Sequence, residues 1–191
     1  MSGLLAKSAV LASLALGVVT APAAASTGQT APAAPGGKYC AVQLGKAPSG
    51  TTSPVVARAC SDTSLAEAKA TMDSRHRATA RARGETAVAA NVVLMYLYEN
   101  VNYNRDKAGR MTAIVVPTNC DTAGYRFEPE TWWKDNVSSV VGGTSRCNTT
   151  RVFDKAQTNA TVFKIHVEGP GRWLGWYSNN VHHFQTYWSM G

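Results

Sequence analysis

From residue 92 onward, short runs of β-branched and aromatic residues alternate with clusters of Gly, Pro and Asn, and this pattern restricts the fold more than any other feature. The runs cover residues 92–98, 114–116, 137–141, 150–153, 161–167 and 181–188. Turn residues separate them at 102–109, 117–124, 142–143, 169–171 and 178–180. Several short strands with such punctuation predict an antiparallel sandwich or barrel. The run at 92–98 is apolar throughout and predicts a buried strand, while 161–167 alternates with a period of two.

The chain ahead of that half is built differently. Residues 61–83 are Ala-rich with scattered charges and meet no Gly or Pro before Gly84. Ser64-Leu65-Ala66-Glu67 has capping-box spacing, so a helix is expected, with a thin apolar face of Leu65, Met72 and alanines. Two β-prone runs, 41–44 and 55–57, flank the turn Ala47-Pro48-Ser49-Gly50 and predict a small hairpin or loop. Residues 26–38 hold little to bury and read as a flexible linker.

The first 25 residues read as an export signal. Lys7 precedes an apolar run at 9–19, which is too short to anchor in a bilayer, and Ala23 and Ala25 offer the small pair of a cleavage site. The expected organisation is therefore a signal peptide (1–25), a linker (26–38), a disulfide-closed segment plus helix (39–89) and a β domain (90–191). The expected location is secreted, outside the cell. No later segment reaches the length of a membrane-spanning helix.

Four cysteines suit that compartment: Cys40, Cys60, Cys120 and Cys147. No C-x-x-C or H-x-x-x-H spacing favours zinc, so structural disulfides are expected. Of the three connectivities, Cys40–Cys60 and Cys120–Cys147 are preferred, because each closes a short loop within one region. The formal net charge is +7. Its basic residues form no dense block interleaved with aromatics, and Asp73 and Glu85 bracket the nearest cluster, Arg75, Arg77, Arg81 and Arg83. Nucleic acid is therefore not an expected partner, and the charge serves solubility and weak attraction to polyanions.

The β half carries a weak internal duplication. Tyr98-Glu99 leads, about forty residues later, to a stretch from Trp133 through Lys134-Asp135-Asn136-Val137-Ser138-Ser139 to Val140. Phe153-Asp154 leads in turn to Tyr177-Ser178-Asn179-Asn180-Val181-His182-His183-Phe184. At these residues the chain resembles the βγ-crystallin superfamily, and within it the exported actinobacterial branch that includes metalloproteinase inhibitors and killer-toxin-like proteins. The resemblance covers residues 92–191 and implies a mainly β fold, two Greek-key motifs forming a sandwich.

It also implies a folded-over hairpin in which Tyr98 and Tyr103 stack. The family's Gly position is taken by Arg105, with Gly109 as the substitute; in the second copy Thr158 and Ala160 replace the partner aromatic and the Gly. The family's calcium signature is matched by 134–139 except at Lys134, and implies a weak calcium site using Asn136 and Ser138 with an oxygen near Asp154. In the second copy His182 stands where a hydroxyl would be, a poor ligand for a hard cation. No other cofactor is expected.

Catalytic signatures are missing: the sequence has no G-x-S-x-G, Walker loop, H-E-x-x-H or G-x-G-x-x-G. His76 is expected to be solvated on the helix. His182 and His183 are expected on opposite faces of a strand, unable to act as a chelating pair. Of the five tryptophans, most are expected in the core, with Trp132 and Trp173 the exposed members of a binding face. The expected function is that of a secreted, monomeric, non-enzymatic binding protein, a peptidase inhibitor presenting residues 119–130 to an extracellular metalloprotease. The alternative is a structural or toxin-like protein associated with a cell-wall polymer or glycan.

Overall fold

The computed structural model describes residues 36–87, 92–165, 167 and 171–190. The expected export signal and most of the linker lie outside them. The strands are β1 (Tyr39–Leu44), β2 (Val55–Ser61), β3 (Val92–Tyr98), β4 (Met111–Val116), β5 (Tyr125–Phe127), β6 (Ser139–Gly142), β7 (Thr149–Asp154), β8 (Ala160–Lys164), β9 (Arg172–Trp173) and β10 (Val181–Tyr187). Helix α1 (Leu65–Ala82) separates β2 from β3, and the short α2 (Thr131–Asn136) separates β5 from β6. The fold is mainly β, as the turn spacing indicated.

Two sheets face each other. The first runs β2-β1-β4-β3-β6-β9 and the second β5-β10-β7-β8. The order repeats: the hairpin pairs β3–β4 and β7–β8 each receive a later strand, β6 or β10, beside their first member. The outermost position beyond it is then filled by a short strand from the other half, β9 or β5. Between the sheets lies the main core, which includes Leu94, Leu97, Ile114, Trp133, Val140, Tyr125, Val152 and Phe184. Phe127 and Phe184 stack inside it with centroids 5.4 Å apart.

The Cys40–Cys60 segment is continuous with this sandwich rather than a unit ahead of it. β1 lies parallel to β4, with Cys40 opposite Thr112 and Val42 opposite Ile114. Both strands are buried along almost their whole length. This follows from cover on both faces, since their alternate residues reach two different cores. Val42, Leu44 and Ile114 enter the main core, whereas Ala41 and Val115 join Ala59, Ala68 and Met72 beneath α1.

Helix α1 forms where the capping box placed it. The Ser64 hydroxyl accepts a bond from Glu67 N at 3.1 Å, and the Glu67 carboxylate turns to Ser61 Oγ at 2.8 Å. At the other end Gly84 has φ +69°, and Glu85 N donates to Ala80 O while Gly84 N donates to Arg81 O. That is a Schellman stop. His76 is half-buried, with its Nε2 atom shielded and unpartnered, not solvated as expected. The expected strand at 161–167 ends at Lys164, and Val167 makes only an isolated parallel bridge to Gly142.

Both expected disulfides are present. Cys40 and Cys60 face each other directly across β1 and β2, and Cys120–Cys147 ties the loop after β4 to the loop before β7. Two such bridges are compatible with an extracellular protein. Among the described residues no helix is long and apolar enough to cross a membrane.

Candidate functional site

Among the described residues, the β3–β4 connection holds the one run of three successive non-glycine residues with positive φ. Asn102, Tyr103 and Asn104 all take left-handed φ, at 56°, 52° and 61°. Asn tolerates this region, but Tyr does not without support. Tyr103 receives it on every side. Its ring meets Tyr98 edge-on at 5.9 Å, its hydroxyl donates to Gly171 O at 3.2 Å, and its N–H donates to Ser139 Oγ at 3.3 Å. Ser139 Oγ in turn donates to Asn100 O at 2.7 Å. The positive φ falls at residues 102–104 rather than at Arg105, whose φ is −64°. Gly109 serves for close approach: a Cβ there would sit 2.3 Å from Asn100 Nδ2.

The corresponding turn after β7 is built around a carboxylate. Asp154 is buried, and its Oδ1 accepts from the N–H groups of Thr158 and Asn159 while Oδ2 accepts from their side chains. Burial alone would raise its pKa, but the Asn159 and Thr158 donors together hold it below the usual carboxylate range.

Asn136 Nδ2 donates to Trp132 O at 2.7 Å, and Ser138 Oγ donates to Asn179 Oδ1 at 3.5 Å. No hydrogen bond joins any two of Asn136, Ser138 and Asp154 among the described residues. Lys134, the departure from the calcium signature, pairs with Glu128 at 2.8 Å, and Lys155 pairs with Asp135. Among the described residues no three His, Cys, Asp or Glu side chains form a metal-binding group.

The tryptophans divide sharply. Trp133 is buried, and Trp132 and Trp188 are half-buried against the main core. Trp132 is therefore not the exposed residue expected: it packs edge-on to Trp133 at 4.9 Å, and the Arg110 guanidinium lies 5.0 Å from its ring centroid. Trp173 is 60% exposed, as expected, and Trp176 is 65% exposed. Buried Leu174 lies between them. The segment is pinned from below, since Leu174 N donates to Ser138 O at 3.1 Å and Asn179 N to Val137 O at 2.9 Å. Tyr177 meets Trp176 edge-on at 5.2 Å and Phe163 at 6.4 Å, and the Arg172 guanidinium lies 5.6 Å from the Phe163 ring. Trp173, at the end of β9, and Trp176, on the turn that follows it, are thus both exposed.

The two histidines of β10 contradict their expected placement. The strand register shifts between Val181 and His183, a bulge that cancels the usual alternation. His182 Nδ1 and His183 Nδ1 consequently lie 3.0 Å apart. His183 is buried and stacks on Phe153 at 3.9 Å, and its Nε2 has no partner. Burial first, then the positive charge of Arg126 and the adjacent His182 imidazole, press its pKa from 6.5 to about 4, against the opposing pull of Glu128.

The segment 119–130 is mostly part of the frame. Cys120, Gly124, Tyr125, Phe127 and Pro129 are buried, and β5 lies within it. Its exposed residues are Asn119, Asp121, Thr122 and Glu128; the first three are held by the disulfide and by Asp121, which accepts from Gly124 N at 2.7 Å and from Lys46. Those two donors, the Gly124 amide foremost, hold the Asp121 carboxyl below its ordinary range.

Compared with family models, with curated proteins and with solved structures, the chain finds no match in any of the three.

Sequence reasoning missed two features, Trp176 and the histidine contact. Nothing in the local sequence separates exposed Trp176 after Gly175 from buried Tyr125 after Gly124, both glycines having positive φ. The histidine contact depends on a bulge that strand periodicity does not announce.

Proposed function

We propose that this chain is an exported, non-enzymatic binding protein on a βγ-crystallin-like frame of two Greek-key motifs, and that it engages a carbohydrate polymer of a cell wall or matrix. The strand order supports the frame: each half closes its hairpin with its fourth strand and sends its third strand to the opposite sheet. The observation that carries the binding reading is the exposure of Trp173, at the end of β9, and of Trp176, on the following turn, in a segment bonded to residues 137–138. Indoles combine an apolar face with a polar edge and dominate binding hot spots. A platform already rigid loses little ordering entropy when a ligand arrives. The net charge of +7 adds attraction to anionic polymers.

The test is retention of the processed protein on insoluble wall polysaccharide at low and high salt, comparing wild type with Trp173→Ala and Trp176→Ala. Retention should fall at least about tenfold in each variant, and bound polymer should shift tryptophan emission to the blue. Equal retention of wild type and both variants would refute the reading.

A second reading, inhibition of an extracellular metalloprotease, is favoured by one observation: exposed Asn119, Asp121 and Thr122 flank the buried Cys120 of the Cys120–Cys147 bridge. Thermolysin-type proteases assayed with excess protein distinguish the two.

A further inference from the structure

We propose that His182 and His183 form a binding site for one divalent transition-metal ion of the copper(II) or nickel(II) class. The first ground is distance. Two nitrogens bound at about 2.1 Å and at right angles lie about 3.0 Å apart, whereas a tetrahedral ion would set them at about 3.4 Å. The two Nδ1 atoms are 3.0 Å apart in the protein. That spacing suits the square or tetragonal geometry of copper(II) and nickel(II) better than the tetrahedral geometry of zinc.

The second ground is preorganisation. His183 sits on β10, hydrogen-bonded to β5 on one side and β7 on the other, and its ring is stacked on Phe153 with an interplanar angle of 19°. Its position does not depend on a ligand. His182 beside it is only half-buried. Binding through both Nδ1 atoms requires each ring to carry its proton on Nε2, so the Nδ1–Nδ1 hydrogen bond is given up for two metal bonds.

Charged neighbours act in both directions. Glu128 follows β5, and its charge acts on both rings, but it is paired with Lys134 of α2. Arg126 of β5 and Lys134 oppose a second cation, whereas freeing Glu128 would favour one. Water completes the coordination, since no third His, Cys, Asp or Glu joins the pair among the described residues.

The experiment titrates the processed protein with copper(II) or nickel(II) chloride at pH 7.5, reading calorimetry and, for copper, the nitrogen hyperfine pattern in electron paramagnetic resonance. Wild type should bind one ion per chain with two nitrogens in the copper spectrum. His182→Ser should weaken binding at least about tenfold with the circular dichroism unchanged. Lys134→Met should tighten it by releasing Glu128, and His76→Ala should leave it as it was. Equal affinity in wild type and His182→Ser, loss of binding in His76→Ala, or a copper spectrum with no bound imidazole nitrogen would each overturn the proposal. The nitrogen pattern is read on the wild type, so the outcome does not depend on a variant folding.

Discussion

Replacing His183 by Phe should remove much of the protein's acid sensitivity above pH 4. The unfolded chain takes up a proton on this imidazole near 6.5, whereas the folded chain resists until about 4. Between those values the unfolded state holds more protons, so stability falls as the pH drops from 6.5 toward 4 and this contribution is complete below that. A displacement from 6.5 to about 4 corresponds to about 3 kcal/mol at most. Solvent reaching the pair through half-exposed His182 reduces the expected figure to about 1–2 kcal/mol.

Phe keeps the planar stack on Phe153 and deletes both the titration and the buried Nε2 that lacks a partner. At pH 7.5 the variant should match the wild type or exceed it by up to about 1 kcal/mol. Urea unfolding of both proteins at pH 7.5, 6, 5 and 4.5 measures the difference directly, because other titrating groups are common to the two. If the difference in unfolding free energy stayed constant across that range, the assignment of acid sensitivity to His183 would be wrong.

Two further outcomes follow from the packing. Met72→Ala empties the centre of the small cluster beneath α1 and should cost about 2–4 kcal/mol, read as a lower urea midpoint. Ser139→Ala leaves the Asn100 carbonyl and the Tyr103 amide without their shared hydroxyl, and should cost about 1–2 kcal/mol, with faster hydrogen exchange at Tyr103.

The elements that were legible in the sequence are those whose own composition carries the signal. The apolar run of β3, the alternation in β8 and the Ser64–Glu67 capping pair are local, and each gave the observed element to within a few residues. β5 and β9 were not legible, because strands of three and two residues hold no period and exist only through their partners. The parallel pairing of β1 with β4 joins segments about seventy residues apart. Trp173 was read correctly from its neighbouring loop. Trp132 was not, since it starts a short helix that turns it against Trp133. The histidine pair was misplaced for a definite reason: alternation across a strand holds only while the ladder is unbroken, and it breaks between Val181 and His183.

The parallel seam between β1 and β4 also imposes an order of assembly. Synthesis runs from the N-terminus, so the β1–β2 hairpin and α1 are made before β4 exists. Until then β1 has only β2 to pair with, and the Ala41–Met72 cluster lacks Val115 from its floor. The hairpin must wait, and Cys40–Cys60 can close while it does, because its two cysteines already face each other without help from the later strands. Cys120–Cys147 has no such independence. Its partners belong to loops that come together only when strands of both sheets are in place, so its oxidation should lag behind that of the first bridge during refolding from the reduced state.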